Sequence, residues 1–146
     1  MPHLTVPFSN GSPIIDLIIG VSAPRADALK KAGQPIPAVI PVRALIDTGA
    51  SCTNVDPTIL TALAVPSSGT VPCHTPSTKS GKPHIANQFD VSLRLIHPLL
   101  TRTFFAIPVI ESELCHQGIH AILGRDILSF CLLTYDGQAQ SFCLGF

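Results

Sequence analysis

An all-β domain with one or two short helices is the fold class that the sequence predicts, and three observations predict it. Hydrophobic residues make up 46% of the 146 and charged residues only 12%, with 14 Pro and 10 Gly. That mixture suits short strands joined by turns better than long amphipathic helices. Apolar Phe89, Val91, Leu93 and Leu95 alternate with polar Asp90, Ser92 and Arg94, the period of a strand buried on one face. Turn-forming pairs, Asn10-Gly11 and Asp136-Gly137, separate short apolar runs. A chain of this length buries a sizeable core as one domain, and residues 1–146 are read as one.

Taken in order, His3 to Phe8 reads as a strand, Ser9 to Pro13 as a turn and Ile14 to Ser22 as a second strand. Ala23 to Pro37 sets Arg25, Asp27, Lys30 and Lys31 among small residues and ends in Gly33-Gln34-Pro35, so it reads as an exposed excursion with a helical turn. Ala38 to Ile46 is a buried strand running straight into Asp47. Asp56 is placed to cap a short helix over Thr58 to Leu63, with Pro57 at its first position. Val65 to His84, rich in Pro, Ser, Thr, Gly and His, reads as an exposed hairpin or loop and a candidate lid. Phe89 to Ile96 and Thr101 to Ile110 form a hairpin turned by His97-Pro98, and the last strands run from Cys131 to Tyr135 and from Gln140 to Phe146. The two halves echo each other loosely: Leu45-Ile46-Asp47-Thr48-Gly49 in the first and Ile122-Leu123-Gly124-Arg125-Asp126 in the second.

Nine basic residues balance nine acidic ones and no Lys/Arg block stands out, so the footprint that nucleic acid requires is missing. Near-zero net charge on an apolar chain leaves surface easily buried against a partner. The N-terminus has no basic segment followed by a long apolar run, and Asp16 interrupts the stretch Ile14 to Val21, so neither a signal peptide nor a membrane span is expected. Five widely spaced cysteines without a CxxC pair do not make a disulfide framework, which points to a reducing cytoplasm. The densest metal-ligating cluster is Cys115-His116 with His120; Gly118 interrupts it and no second pair stands at ligand spacing, so no metal and no cofactor are expected. The sequence also lacks a Gly-Xaa-Ser-Xaa-Gly elbow and a phosphate loop.

What remains is Ala44-Leu45-Ile46-Asp47-Thr48-Gly49-Ala50-Ser51, an apolar lead into Asp-Thr-Gly, and some seventy residues later Ile122-Leu123-Gly124-Arg125-Asp126. A given tripeptide arises by chance in a chain of this length about 3% of the time, and the second motif in the right place makes coincidence rarer still. Together these residues resemble the retropepsin family, the dimeric aspartic proteases of retroviruses and retrotransposons and their cellular and bacterial relatives. The resemblance covers most of Ile14 to Phe146.

It implies a closed β-barrel-type acid protease fold, a two-fold homodimer, and peptide or protein as substrate. Asp47 is the catalytic residue, one per subunit; two carboxylates held within hydrogen-bond distance cannot both ionise, so they share a proton and act as acid and base together. By the same resemblance Thr48 bonds across the dimer axis. Gly49, Ala50 and Ser51 pair with an extended substrate as an added strand. Gly124, Arg125 and Asp126 support the loop. Where viral relatives carry an acidic partner for the arginine, this chain has Ser51, so Arg125 is expected to meet Asp56 or backbone carbonyls instead. The flap-like segment, about residues 71–84, has its tip at Thr78, Lys79, Ser80 and Gly81, which are assigned to substrate binding. Terminal strands interleaved between subunits complete the family's dimer. The alternative is a catalytically weak or inactive dimerisation or peptide-binding module on the same fold.

Overall fold

A computed structural model describes residues 1–75 and 77–146; Pro76, inside the segment 71–84, lies outside the described residues. Strands β1 (His3–Pro7) and β2 (Ile14–Val21) flank a tight turn in which Asn10 and Gly11 take φ of 51° and 74°, the left-handed pair that the Asn-Gly dipeptide favours. Next come α1 (Ala23–Lys31), β3 (Ile40–Ile46), β4 (Asn54–Val55), α2 (Pro57–Ala62) and β5 (Ser67–Cys73). The long β6 (His84–His97) and β7 (Leu100–Glu111) follow, then a 3-10 turn (Cys115–Gln117). The chain ends with β8 (Ala121–Leu123), α3 (Arg125–Leu128), β9 (Leu132–Asp136) and β10 (Ser141–Gly145). No described helix is long and apolar enough to cross a membrane.

Strands β2, β3, β8, β4, β7 and β6 are neighbours in that order, and β6 pairs back with β2, closing a six-stranded barrel with β5 appended to β6. Alternation decides what fills it. Ile15, Leu17 and Ile19 of β2, Val42, Ala44 and Ile46 of β3, and Val91, Leu93 and Leu95 of β6 all point inward and are buried. The echo between the halves becomes a physical pairing: β3 and β8 run parallel, Leu45 opposite Ile122 and Ile46 opposite Leu123, so the two motif loops leave the barrel side by side. A second sheet, β1-β10-β9, brings Phe142 and Leu144 into the same core. Within the chain β10 has β1 on one side and β9 on the other, so the free hydrogen-bonding edges of this sheet are β1 and β9. The expected interleaving of terminal strands between subunits therefore has no open edge on β10.

Two elements exceed what the sequence predicts. Ala23 to Pro37 contains a nine-residue helix rather than a helical turn. Ser22 caps it, its hydroxyl accepting from Arg25 N, but Leu29 is its one buried residue, so no apolar stripe announced it. The segment from Val65 to His84 opens with β5, which pairs along β6 from Ser67 opposite Phe89 to Cys73 opposite His84. β5 is mostly exposed on both faces, so its strand order comes from backbone pairing without burial periodicity.

Helix α2 starts as predicted. Asp56 is buried, and its carboxylate accepts from Thr58 N (2.9 Å), Thr58 Oγ1 (2.7 Å), Leu114 N (2.7 Å) and Cys115 N (2.8 Å). Burial pushes the carboxyl up, but these four bonds outweigh it and hold Asp56 well below the usual carboxylate range. A depressed folded-state pKa gives stability that is complete above the unfolded value, near 3.9, and drains away as pH falls from there through the folded value. Asp56→Asn, which sets an amide against two backbone N–H groups, is expected to cost about 2 kcal/mol at pH 7. In urea titrations the gap between wild type and variant should shrink below about pH 4; a gap that widens in acid would contradict this account.

Candidate active site

Asp47 stands one residue beyond β3, and both neighbouring peptide units are tied down: Ile46 N donates to Pro13 O (2.9 Å) and Asp47 N to Leu123 O (3.1 Å). The chain then turns at once. Ala50 N donates to Asp47 O (3.2 Å), and Gly49 N donates to Asp47 Oδ1 (2.8 Å), which orients the carboxylate. A Cβ at Gly49 would stand 3.1 Å from that same oxygen. Asp47 is half-buried, whereas Thr48, Gly49 and Ser51 are exposed. Among the described residues no hydrogen bond engages the exposed Thr48 hydroxyl.

The second motif braces the first. Arg125 Nη1 donates to Thr48 O (3.0 Å) and Gly49 O (3.4 Å), and Arg125 N donates to Ala50 O (2.9 Å). Of the two partners expected for this arginine, the carbonyls are the ones it meets; Asp56 is committed to α2. Asp126 accepts from Thr53 N (2.9 Å) and Thr53 Oγ1 (2.8 Å), and from Ile127 N (2.9 Å) at the start of α3. Gly124 N donates to Thr53 Oγ1 (3.3 Å). The buried Thr53 thus joins both motifs, a role that sequence reasoning missed because a single threonine belongs to no motif and shows no period. Gly124 itself lies against the backbone of Cys52.

Asp47, Thr48, Gly49, Ala50, Ser51, Gly124, Arg125 and Asp126 are therefore one assembly. The predicted tip, Thr78, Lys79, Ser80 and Gly81, is elsewhere, between β5 and β6. Thr78 Oγ1 accepts from Thr75 N (2.8 Å), and Lys82 N donates to Lys79 O (3.1 Å). Among the described residues, a hollow of about 390 Å³ there is lined by Thr75, Ser77, Thr78, Lys79, Lys82 and His84. Among the described residues no hydrogen bond joins this tip to the Asp47 loop.

Cys52 is half-buried, and burial pushes its thiol up; a hydrogen bond with Ser51 opposes this, while the negative fields of Asp126 and Cys73 add to it. It is a packing thiol held in its protonated form, without the nucleophile's depressed pKa. His120, from the cysteine and histidine cluster, accepts from Arg43 N at Nδ1 (3.1 Å) and returns its own backbone N–H to Arg43 O (2.8 Å). That pairing accounts for its place beside β3.

Neither the comparison with protein-family models nor that with curated proteins finds a match to this sequence. Among solved structures, the chain is similar to a retropepsin-like aspartic protease from Rickettsia conorii. The two are 13% identical, the match covers 99% of this chain and 91% of that one, and the TM-score is 0.59. At that identity the likeness is one of architecture: the chain has a retropepsin-like fold, mostly β with a closed six-stranded barrel and few helices.

Proposed function

We propose that this chain is an aspartic endopeptidase that works as a homodimer, each subunit supplying one Asp47 carboxylate to a shared site. One observation carries the reading. The half-buried Asp47 carboxylate stands just beyond a strand of a retropepsin-like barrel, on a loop fixed by Gly49 N, Leu123 O and Arg125. In the dimer the two Asp47 side chains face each other and hold one proton between them. The ionised member takes a proton from a water, the protonated member donates to the scissile carbonyl oxygen, and the water attacks without a covalent intermediate. The proton then passes to the leaving nitrogen. Gly49, Ala50 and Ser51 hold the extended substrate, and the tip around Thr78–Gly81 closes over it. Because the pair must keep one proton, activity peaks below neutral pH. Five free thiols are in keeping with a cytoplasmic setting.

The test is digestion of an unstructured protein across pH 3 to 8, over a dilution series of enzyme with particle mass followed by light scattering. With a site built from two chains, specific activity should fall on dilution in step with the dimer fraction. A dimer that never cleaves would turn the reading to a peptide-binding module. Activity that stays constant per chain down to the fully monomeric range would overturn the shared site.

A further inference from the structure

A second hollow, of about 470 Å³, opens beside the root of the β5–β6 hairpin. Its walls include Arg25 of α1, Leu60 of α2, Val65 and Pro66 of the link into β5, Phe89 of β6 and Glu111 of β7. None of its lining residues belongs to the Asp47 loop, to Gly124–Asp126 or to the hairpin tip. The volume falls within the range of roughly 300 to 1,000 Å³ typical of small-ligand sites.

Two charges of opposite sign stand in this largely apolar setting. Arg25 Nε is buried and has no hydrogen-bond partner among the described residues, a costly state for a guanidinium N–H. The Arg25 backbone N–H is already spent on Ser22 Oγ. Glu111 accepts from Asn87 Nδ2 through Oε2 (2.8 Å), which leaves its other oxygen able to accept a further N–H. A planar guanidinium fork is suited to a carboxylate. Nε itself is shielded, so the outer edge of the guanidinium is the part that a carboxylate in the hollow can meet. A bare anion there would be repelled by Glu111, whereas an acid that also carries an N–H pairs with both charges.

We propose that this hollow binds the free C-terminus of a peptide whose last residue is apolar. The α-carboxylate meets Arg25, the side chain packs on Leu60, Val65 and Phe89, and the last amide N–H donates to Glu111. Such ends arise either as cleavage products or as the tail of another protein. The site itself rests on no catalytic assumption.

Calorimetry on the full chain with N-acetyl-leucine and N-acetyl-leucinamide tests the proposal. The acid should bind at least about tenfold tighter than the amide, as loss of a charge-assisted bond implies. Arg25→Met should remove that preference, and Arg25→Lys, which keeps the charge without the fork, should retain part of it. Equal binding of acid and amide by the wild type overturns the proposal, as does no binding of either at millimolar concentration; both outcomes are readable even if the Arg25 variants misfold. To assign the source, Asp47→Asn is offered a wild-type digest of an unstructured protein and the undigested protein. Binding of the digest alone assigns cleavage products. Binding of N-acetyl-leucine but not of the digest keeps the site and assigns it to another protein's tail. If no digest forms, the acid and amide comparison still decides the site, so its failure and that of the protease reading remain distinguishable.

Discussion

Asp47→Asn is expected to lower kcat/KM for an unstructured protein substrate by about 10⁴-fold, the upper range for loss of acid–base catalysis, while leaving the particle mass unchanged. The substitution removes one function and little else. Asn keeps the size of Asp, and its Oδ1 can still accept from Gly49 N, so the turn that orients the side chain survives. Because Asp47 is only half-buried and holds no ion pair in the assembly described, the variant's stability should stay within about 0.5 kcal/mol of wild type. What is lost is a group that can take a proton from water. A tethered pair in which one copy carries Asp47→Asn and the other keeps its aspartate separates shared from independent sites. A dyad needs both carboxylates, so the singly substituted tether should be nearly as inactive as the doubly substituted one, while the unsubstituted tether keeps the full rate. Half the wild-type rate in the single tether would mean that each subunit works alone.

The barrel strands were legible because burial on one face writes period 2 into the sequence, as in Phe89 to Leu95, and because Asn10-Gly11 and Asp136-Gly137 have few other uses. Asp56 was legible as a cap for the same reason: Asp-Pro before an apolar run states where a helix begins. α1 and β5 were legible only in part, as a helical turn and as a hairpin or loop. Both lie on the surface with little side-chain burial: α1 has its Ser22 cap but no apolar stripe, and β5 is ordered by a borrowed backbone edge, which carries no residue identity.

The site divides along the same line. Asp47, Gly124, Arg125 and Asp126 were found because motif spacing ties each to a local turn, and the parallel pairing of β3 with β8 brings the turns together. Thr53 was missed, although it donates to both carboxylate oxygens of Asp126, because its importance lies in a partner 73 residues away. The hollow at Arg25 was likewise invisible: its walls come from α1, α2, β6 and β7, and only folding assembles them.

Gly124→Ala is expected to cost about 100-fold in kcat, the penalty of displacing a catalytic loop by roughly 1 Å. The reason is steric. Gly124 is extended, with φ −90° and ψ −179°, a conformation open to any residue. Its added Cβ, however, would stand 2.5 Å from both the carbonyl carbon and oxygen of Cys52, and 3.0 Å from its Cα. A side chain in that place could rotate away; backbone cannot. Cys52 is also hemmed in from both directions, since Thr53 is pinned by Asp126 and Ala50 by Arg125 N. Relief therefore requires the segment from Asp47 to Thr53 to move away from α3, which loosens the bonds that fix the Asp47 loop. Overpacking of this kind should also lower stability by about 2 kcal/mol. Gly137→Ala is the control, because the nearest atom to its Cβ is Tyr135 Cε1 at 3.6 Å, an ordinary contact. Thermal melts and kcat measured on both variants decide the matter: if Gly124→Ala behaves like Gly137→Ala, the close approach of the two motifs does not hold the active-site loop, and Arg125 and Asp126 must do so alone.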